Sequence, residues 1–323
     1  TDWYIDQMKR KAYESDPIPS QLNHKDYQYG TNDYVRIEPL TKDTIALKQA
    51  LDFIQRDDEK SKYKYFMQKQ GYDISGLRNQ DLNANYLFTR NVRIDVNKQN
   101  ALESGIVKPE DADKIVPHID IEIKGGAIYK NRLLMLDVVA NNEWKRPIYF
   151  TGGSFGDDDY LWMKDYLQLD GMCYKLVPIK TEVDRANPFD MGRIDTDLMY
   201  EKVKSWNWGN SGSPNIYHDP ETCKNAITYR GNLARLVEEL INEEKLEKAE
   251  EIADIAMENM PVEYYGYYTL LEPYIGAYYE VDAKEKARDL YFKVSKKYQE
   301  NLTYYSGLTQ DSQERLFEDI YVD

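Results

Sequence analysis

Cysteine is nearly absent. The 323 residues hold two, Cys173 and Cys223, which define no disulfide framework and report no redox compartment. Histidine is as scarce, with copies at 24, 118 and 218, and none stands in a His-x-x-x-His or Cys-x-x-Cys setting. A structural zinc site or a His-based catalytic triad therefore lacks its parts. No glycine run carries the lysine of a P-loop or the Gly-x-Gly-x-x-Gly spacing of a dinucleotide site. Long apolar runs are missing too: the greasiest stretch, Leu133 to Ala140, is interrupted by Asp137 and is too short to span a bilayer. Positive charge is in deficit, 42 Lys and Arg against 57 Asp and Glu, for a net charge of −15. That sign argues against a general nucleic-acid binder and against attraction to an anionic membrane surface.

Tyrosine is in surplus: 29 copies against 8 Phe and 5 Trp. An amphipathic ring suits half-buried surfaces and sugar or peptide contacts, and it equally fills loosely apolar cores. The length, about twice that of a usual domain, suggests two domains. The chain opens on Thr1-Asp2 as a helix cap, with apolar spacing through Trp3, Ile5, Met8 and Ala12, as a fragment or a processed product would. Tyr34 to Ile37 reads as a short strand, and Thr41 as the cap of a helix with Ile45, Leu47, Ala50, Leu51 and Ile54 on its apolar face. Residues 57–118, rich in Asn, Gln and Gly, read as a long irregular excursion with one strand pair and a short helix at 109–115.

Ile119-Asp120-Ile121-Glu122-Ile123 alternates with the period of a strand and stops at Gly125-Gly126. A helix over about 131–141 leads to the apolar strand Ile148-Tyr149-Phe150 and the turn Thr151-Gly152-Gly153-Ser154. A further strand, 172–179, and a helix, 195–206, complete an α/β half that predicts a Rossmann-like layered sheet over 1–210. The small, polar string from Trp206 to Pro214 marks a boundary. Beyond it, Leu233, Leu236 and Leu240, then Ala249 and Ala256, have the spacing of a tetratricopeptide-like helix pair. Leu271, Tyr274, Tyr278, Ala287 and Tyr291 suggest a second pair, so 211–323 reads as an all-α tetratricopeptide-like domain.

No residue nominates itself as catalytic. Asp157-Asp158-Asp159 offers clustered carboxylates to a divalent ion, but it reads equally well as a solvated acidic turn, and no metal or cofactor is assigned. The glycine turn after a strand is of interest as a place where α/β sheets bind ligands. Trp206 with Trp208, and the run Tyr264, Tyr265, Tyr267 and Tyr268, are the aromatic candidates for a partner or glycan surface. The competing reading packs these rings between helices.

Several long strings carry a resemblance. The segment Thr1 to Pro17, the string Ile115-Val116-Pro117-His118-Ile119-Asp120, the stretch Leu136 to Phe150 and the stretch Asp165 to Ile179 resemble the region after the last membrane span in a family of large Bacteroidetes membrane proteins. That family is known as domain of unknown function 2723 and is related to the transmembrane-protein-260 type of protein O-mannosyltransferase. The resemblance implies an extracytoplasmic (periplasmic) tail, tethered through a membrane-spanning N-terminal half that would hold the chemistry and be its first partner. It also implies a strand ahead of Thr1, which would set Asp2 and Trp3 at a sheet's carboxyl edge beside Thr151, Gly152, Gly153, Ser154 and Asp157. The expected function is a non-catalytic domain that binds acceptor protein, glycan or partner. The alternatives are an independent metal-dependent carbohydrate-active domain and a pure protein-interaction scaffold.

Overall fold

The computed structural model describes residues 2–56, 58–151, 161–183 and 191–316. Its architecture is mixed α/β, with small sheets in the N-terminal half and helices in the C-terminal half. Ten strands are found among the described residues: β1 Tyr34–Ile37, β2 Ile45–Ala46, β3 Tyr86–Leu87, β4 Asn91–Asp95, β5 His118–Glu122, β6 Ala127–Tyr129, β7 Tyr149–Thr151, β8 Leu167–Asp170, β9 Cys173–Leu176 and β10 Arg193–Ile194. They form three sheets, ordered β3-β1-β6, β2-β4-β5 and β10-β8-β9-β7. In the first two sheets the pairing is mixed. β1 runs parallel to β3 and antiparallel to β6, while β4 runs parallel to β2 and antiparallel to β5. These strands thus do not line up in the single parallel layer that the alternation of elements suggests.

Two compact units result. The first comprises the described residues up to 150 together with 161–168, 175–183 and 191–193; the second comprises 151, 169–174 and 194–316. The core of the first unit follows from period-two strands and one helix. Val35 and Ile37 of β1, Val92 and Ile94 of β4, and Ile119 and Ile121 of β5 point one way and are buried. Leu133, Leu136 and Val139 cover them from the Lys130–Asn141 helix, at the three-residue spacing that keeps a helical face continuous. Burying each such side chain contributes about 1.5–3 kcal/mol.

Several elements differ from the sequence reading. Ile45 and Ala46 pair with Val92 and Arg93, so the helix expected from Thr41 begins at Leu47 and runs to Gln55. Segment 57–118, read as irregular, contains β3, β4, the helices Tyr63–Lys69, Asn79–Asn83 and Lys98–Glu103, and a tight 3₁₀ turn at Pro109–Lys114. Its order is tertiary in origin, since β4 is the central strand of its sheet. Cys173 and Cys223 are free thiols.

The second unit is built from helix pairs. Asn225–Asn242 packs on Leu246–Asn259, and Glu272–Glu280 on Lys284–Ser306. Leu233, Leu236, Leu240, Ala249, Ala256, Leu271, Tyr274, Tyr278 and Ala287 are all buried, as their spacing requires. Tyr291 is not: it is 53% exposed, and Leu290 and Val294 take the inward positions. No described helix is long and apolar enough to cross a membrane.

Candidate functional site

Two of the concave surfaces of the first unit that gather polar side chains border β1 and β5. The first is a hollow of about 270 Å³ between the turn 30–34 and the segment 80–85. Gly30 adopts φ +81°, a conformation glycine takes freely, and from this turn the chain rises into β1. The short Asn79–Asn83 helix ends at Ala84 and delivers the chain into β3, which pairs with β1 at Arg36↔Tyr86. These two entries bring Asn32, Tyr34, Gln80, Asn83 and Asn85 to one rim.

Asn85 is held on every side. Its Nδ2 donates to Asn32 Oδ1 (2.8 Å) and to the Ile54 carbonyl (3.2 Å), and its Oδ1 accepts from Ser61 Oγ at 3.2 Å. Asp81, next to the rim, accepts from the Tyr34 hydroxyl (2.6 Å), Arg36 Nη2 (3.0 Å) and Arg78 Nε (2.9 Å). The Tyr34 hydrogen bond first, and then Arg78, hold the Asp81 carboxyl down at about 2. Burial, reinforced by the Asp81 bond, raises the Tyr34 phenol above its ordinary value. The Arg36 guanidinium lies 4.5 Å over the Tyr63 ring. A carboxylate locked in its ionised form by three donors is a positioning group and a poor proton carrier at neutral pH. The hollow instead offers exposed amides, Gln80 and Asn83, each with donors and acceptors that match hydroxyl-rich ligands.

The same geometry predicts an acid response. The folded pKa of Asp81, and that of Asp197 (held at about 2 by Lys248 and Lys245), lies below the unfolded value near 3.9. Their contribution to stability is therefore present above about pH 4 and is lost as pH falls through the window down to about 2. Thermal unfolding followed between those limits should show a falling midpoint, with a shallower slope in Asp81→Asn. An unchanged slope in that variant would refute the assignment.

The second surface is a groove of about 600 Å³ along β5, facing the 3₁₀ turn Leu161–Tyr166. Asp120 is bound bidentately by Arg93, at 2.7 and 2.8 Å, and this guanidinium lowers its carboxyl pKa. Glu122 pairs with Lys124 at 2.6 Å. The Arg132 guanidinium stands 5.3 Å over the Trp162 ring, and the buried Trp162 indole N–H finds no acceptor among the described residues.

The residues singled out from the sequence lie elsewhere. Asp2 and Trp3 open the Asp2–Met8 helix. The Asp2 carboxylate accepts from the Tyr29 amide (2.8 Å), and Trp3 is 67% exposed against Tyr4. Thr151 ends β7 and is exposed. Gly152, Gly153, Ser154 and Asp157, with Asp158 and Asp159, lie outside the described residues, as does the string Gly152-Gly153-Ser154-Phe155-Gly156, which has the spacing of a nucleophile elbow. Trp206 and Trp208 are half-buried and pack on each other and on Tyr229, with ring centroids 5.4–5.5 Å apart. Tyr264 stacks on His218 at 4.9 Å. Tyr265 points inward, 8% exposed, with its hydroxyl donating to the Ser211 carbonyl. The Tyr267 carbonyl accepts from Arg230, and the Tyr268 ring meets Tyr298 edge-on at 4.8 Å. Among the described residues, no group of three or more His, Cys, Asp or Glu side chains is placed to hold a metal ion.

The hollow was missed for a definable reason. The string Asn79-Gln80-Asp81-Leu82-Asn83-Ala84-Asn85 is its visible signal, but the same residues describe an ordinary loop until β1 and β3 pair.

The family model for TMEM260-associated domain 2 matches residues 1–198, a span that contains both the hollow and the groove, and the chain belongs to that family. No curated protein and no solved structure matches it.

Proposed function

From that membership we propose that the chain is an acceptor-binding domain of a TMEM260-related membrane glycosyltransferase. It sits on the extracytoplasmic face and contributes binding, while the reaction belongs to the protein's own membrane-spanning half. The resemblance to the domain of unknown function 2723 membrane proteins supports this placement. One observation carries the binding role: an amide-lined hollow, its walls made rigid by Asp81 and Asn85, lies inside the family-matched segment. Exposed amides beside a tyrosine ring are the donors, acceptors and apolar face that a sugar needs. The helix pairs of the second unit support a tetratricopeptide-like role in gripping a protein partner.

Saturation-transfer NMR with methyl α-mannopyranoside on the 323-residue chain tests the sugar arm. Transfer to the wild type is expected, reduced at least about fivefold in Gln80→Ala/Asn83→Ala, since each lost hydrogen bond to an uncharged partner removes about 0.5–1.5 kcal/mol. Both substitutions are on exposed side chains, so the melting temperature should hold. Wild-type protein that receives no transfer from this sugar, or a double variant that binds it unchanged, would sink the assignment of the hollow.

A further inference from the structure

β5 is an edge strand, and three backbone bonds fix which of its residues face outward. Ile123 N–H donates to the Arg90 carbonyl (2.9 Å), and the Pro117 carbonyl accepts from Val96 N–H (3.1 Å), so the odd-numbered residues face β4. On the other side, Val116 N–H donates to the Pro178 carbonyl at 2.9 Å. In an antiparallel ladder this alternation continues, and His118, Asp120 and Glu122 turn N–H and C=O away from β4. Near Ile115 and Val116 that side is covered by Pro178 and Ile179. At Asp120 and Glu122 the outward backbone groups have no partner among the described residues, and the groove of about 600 Å³ opens beside them.

We propose that this edge binds an extended acidic peptide by strand addition. Unpaired N–H and C=O groups in a row are a template for another strand, and natural proteins usually blunt them. The charge of the groove selects the occupant. Its lining carries the basic side chains Lys124, Arg132, Lys164 and Lys180 against the acidic Asp120, Glu122 and Asp165. Asp120 and Glu122 are engaged by Arg93 and Lys124, whereas Lys164 and Lys180 form no ion pair among the described residues. Within the groove, two lysines without an ion pair among the described residues favour a guest that carries carboxylates. A second copy of the same edge is a poor guest, because antiparallel pairing would set Asp120 and Glu122 against their own counterparts. An incoming carbonyl or carboxylate would also supply the acceptor that the Trp162 indole N–H lacks. This inference deepens the acceptor-binding reading by making an extended peptide the thing bound.

The test is fluorescence anisotropy on the full 323-residue chain. Its probe is a fluorescein-labelled, N-acetylated nonapeptide of alternating Val and Thr with two Thr replaced by Asp. Glu122→Pro removes one outward N–H and leaves the β4 ladder intact, a position where an edge strand tolerates proline. Binding should weaken at least about tenfold in that variant and stay within about twofold in Glu122→Gln, which keeps the amide. A probe N-methylated at alternate amides, which needs no change to the protein, should fail to bind. Replacing its Asp by Lys, or making Lys164→Glu/Lys180→Glu, should weaken it at least about tenfold. Equal binding of the N-methylated probe or of Glu122→Pro overturns strand addition, and equal binding of the Lys probe overturns the charge selection. A chain that binds the mannoside at the hollow and ignores every peptide loses this inference and keeps the acceptor-binding reading.

Discussion

Truncating Arg230 should cost the helical unit about 3–5 kcal/mol, the range for removing a large buried side chain whose partners are left behind. Arg230 is 0% exposed within the Asn225–Asn242 helix. Its Nη1 donates to the carbonyls of Gly266 (2.6 Å) and Tyr267 (3.2 Å), and its Nη2 to that of Met260 (2.6 Å). The reach is needed because the chain there leaves regular structure, with Gly266 at φ +63° and Tyr267 at φ +47°. The Met260 and Gly266 carbonyls receive no backbone N–H among the described residues, while that of Tyr267 also accepts from Leu270 N–H (3.2 Å), and one planar guanidinium reaches all three. Burial pushes the Arg230 pKa down to about 10, so the group is still charged at neutral pH. The Tyr274 hydroxyl, on the Glu272–Glu280 helix, donates to the Arg230 carbonyl at 2.7 Å, closing the contact in both directions.

The variants separate volume from hydrogen bonding. Arg230→Ala loses both, and Arg230→Met restores most of the volume and none of the donors. Urea unfolding followed by helical circular dichroism should place Arg230→Met about 2–4 kcal/mol below wild type, since orphaned buried carbonyls cost about 1–3 kcal/mol each. Arg230→Lys should recover less than half of that, because a point charge cannot span three carbonyls. A methionine variant as stable as wild type would mean that desolvating the guanidinium cancels its bonds, as happens at some buried ion pairs.

Asp137→Ala should destabilise the first unit by about 3 kcal/mol, the scale of an emptied polar core site that strands several donors. Asp137 is 0% exposed on the otherwise apolar face of the Lys130–Asn141 helix. It collects Ser20 Oγ, the amides of Gln21 (2.9 Å) and Leu22 (3.4 Å), and Asn141 Nδ2 (2.9 Å). It is thus the anchor that fastens the irregular segment around Ser20 to the core. Burial raises its pKa above the ordinary aspartate value, against the pull of those donors. A folded pKa above the unfolded one contributes stability that is complete below about pH 3.9 and is lost as pH rises through the folded value. Asp137→Asn should therefore remove a downward slope in stability above about pH 4, at a smaller cost than Asp137→Ala because the amide keeps one acceptor for the Gln21 amide. Stability curves of wild type and Asp137→Asn that run parallel with pH would contradict the burial-driven shift.

Asp137 also shows where sequence reading reaches its limit. Read along the chain, it is the charge that interrupts an apolar run already too short to span a bilayer, and no described helix is long and apolar enough to cross a membrane. What it does instead depends on Ser20 to Leu22, more than a hundred residues away, and no local pattern reports such a partner. Arg230 is alike: helical spacing places it in an amphipathic stretch, but only the fold carries the bend at Met260 to Tyr267 back to its side chain.

The sequence by itself determined whatever depends on neighbours a few residues apart. The alternation of Ile119, Ile121 and Ile123 made a half-buried strand, and the Leu and Ala spacing from Leu233 to Ala256 made a packed helix pair, because periodicity alone decides which face is apolar. Its long strings also carried the likeness to TMEM260-related proteins that the family match over 1–198 supports. Only the tertiary structure decided that β5 lies at an edge, that β1 and β3 run parallel and gather the amides of a hollow, and that three tyrosines and two tryptophans rest against other rings. Each of these depends on which distant segments meet. Pairing between strands is set by the total burial and hydrogen bonding of the whole unit, a sum to which no single stretch of sequence holds the terms.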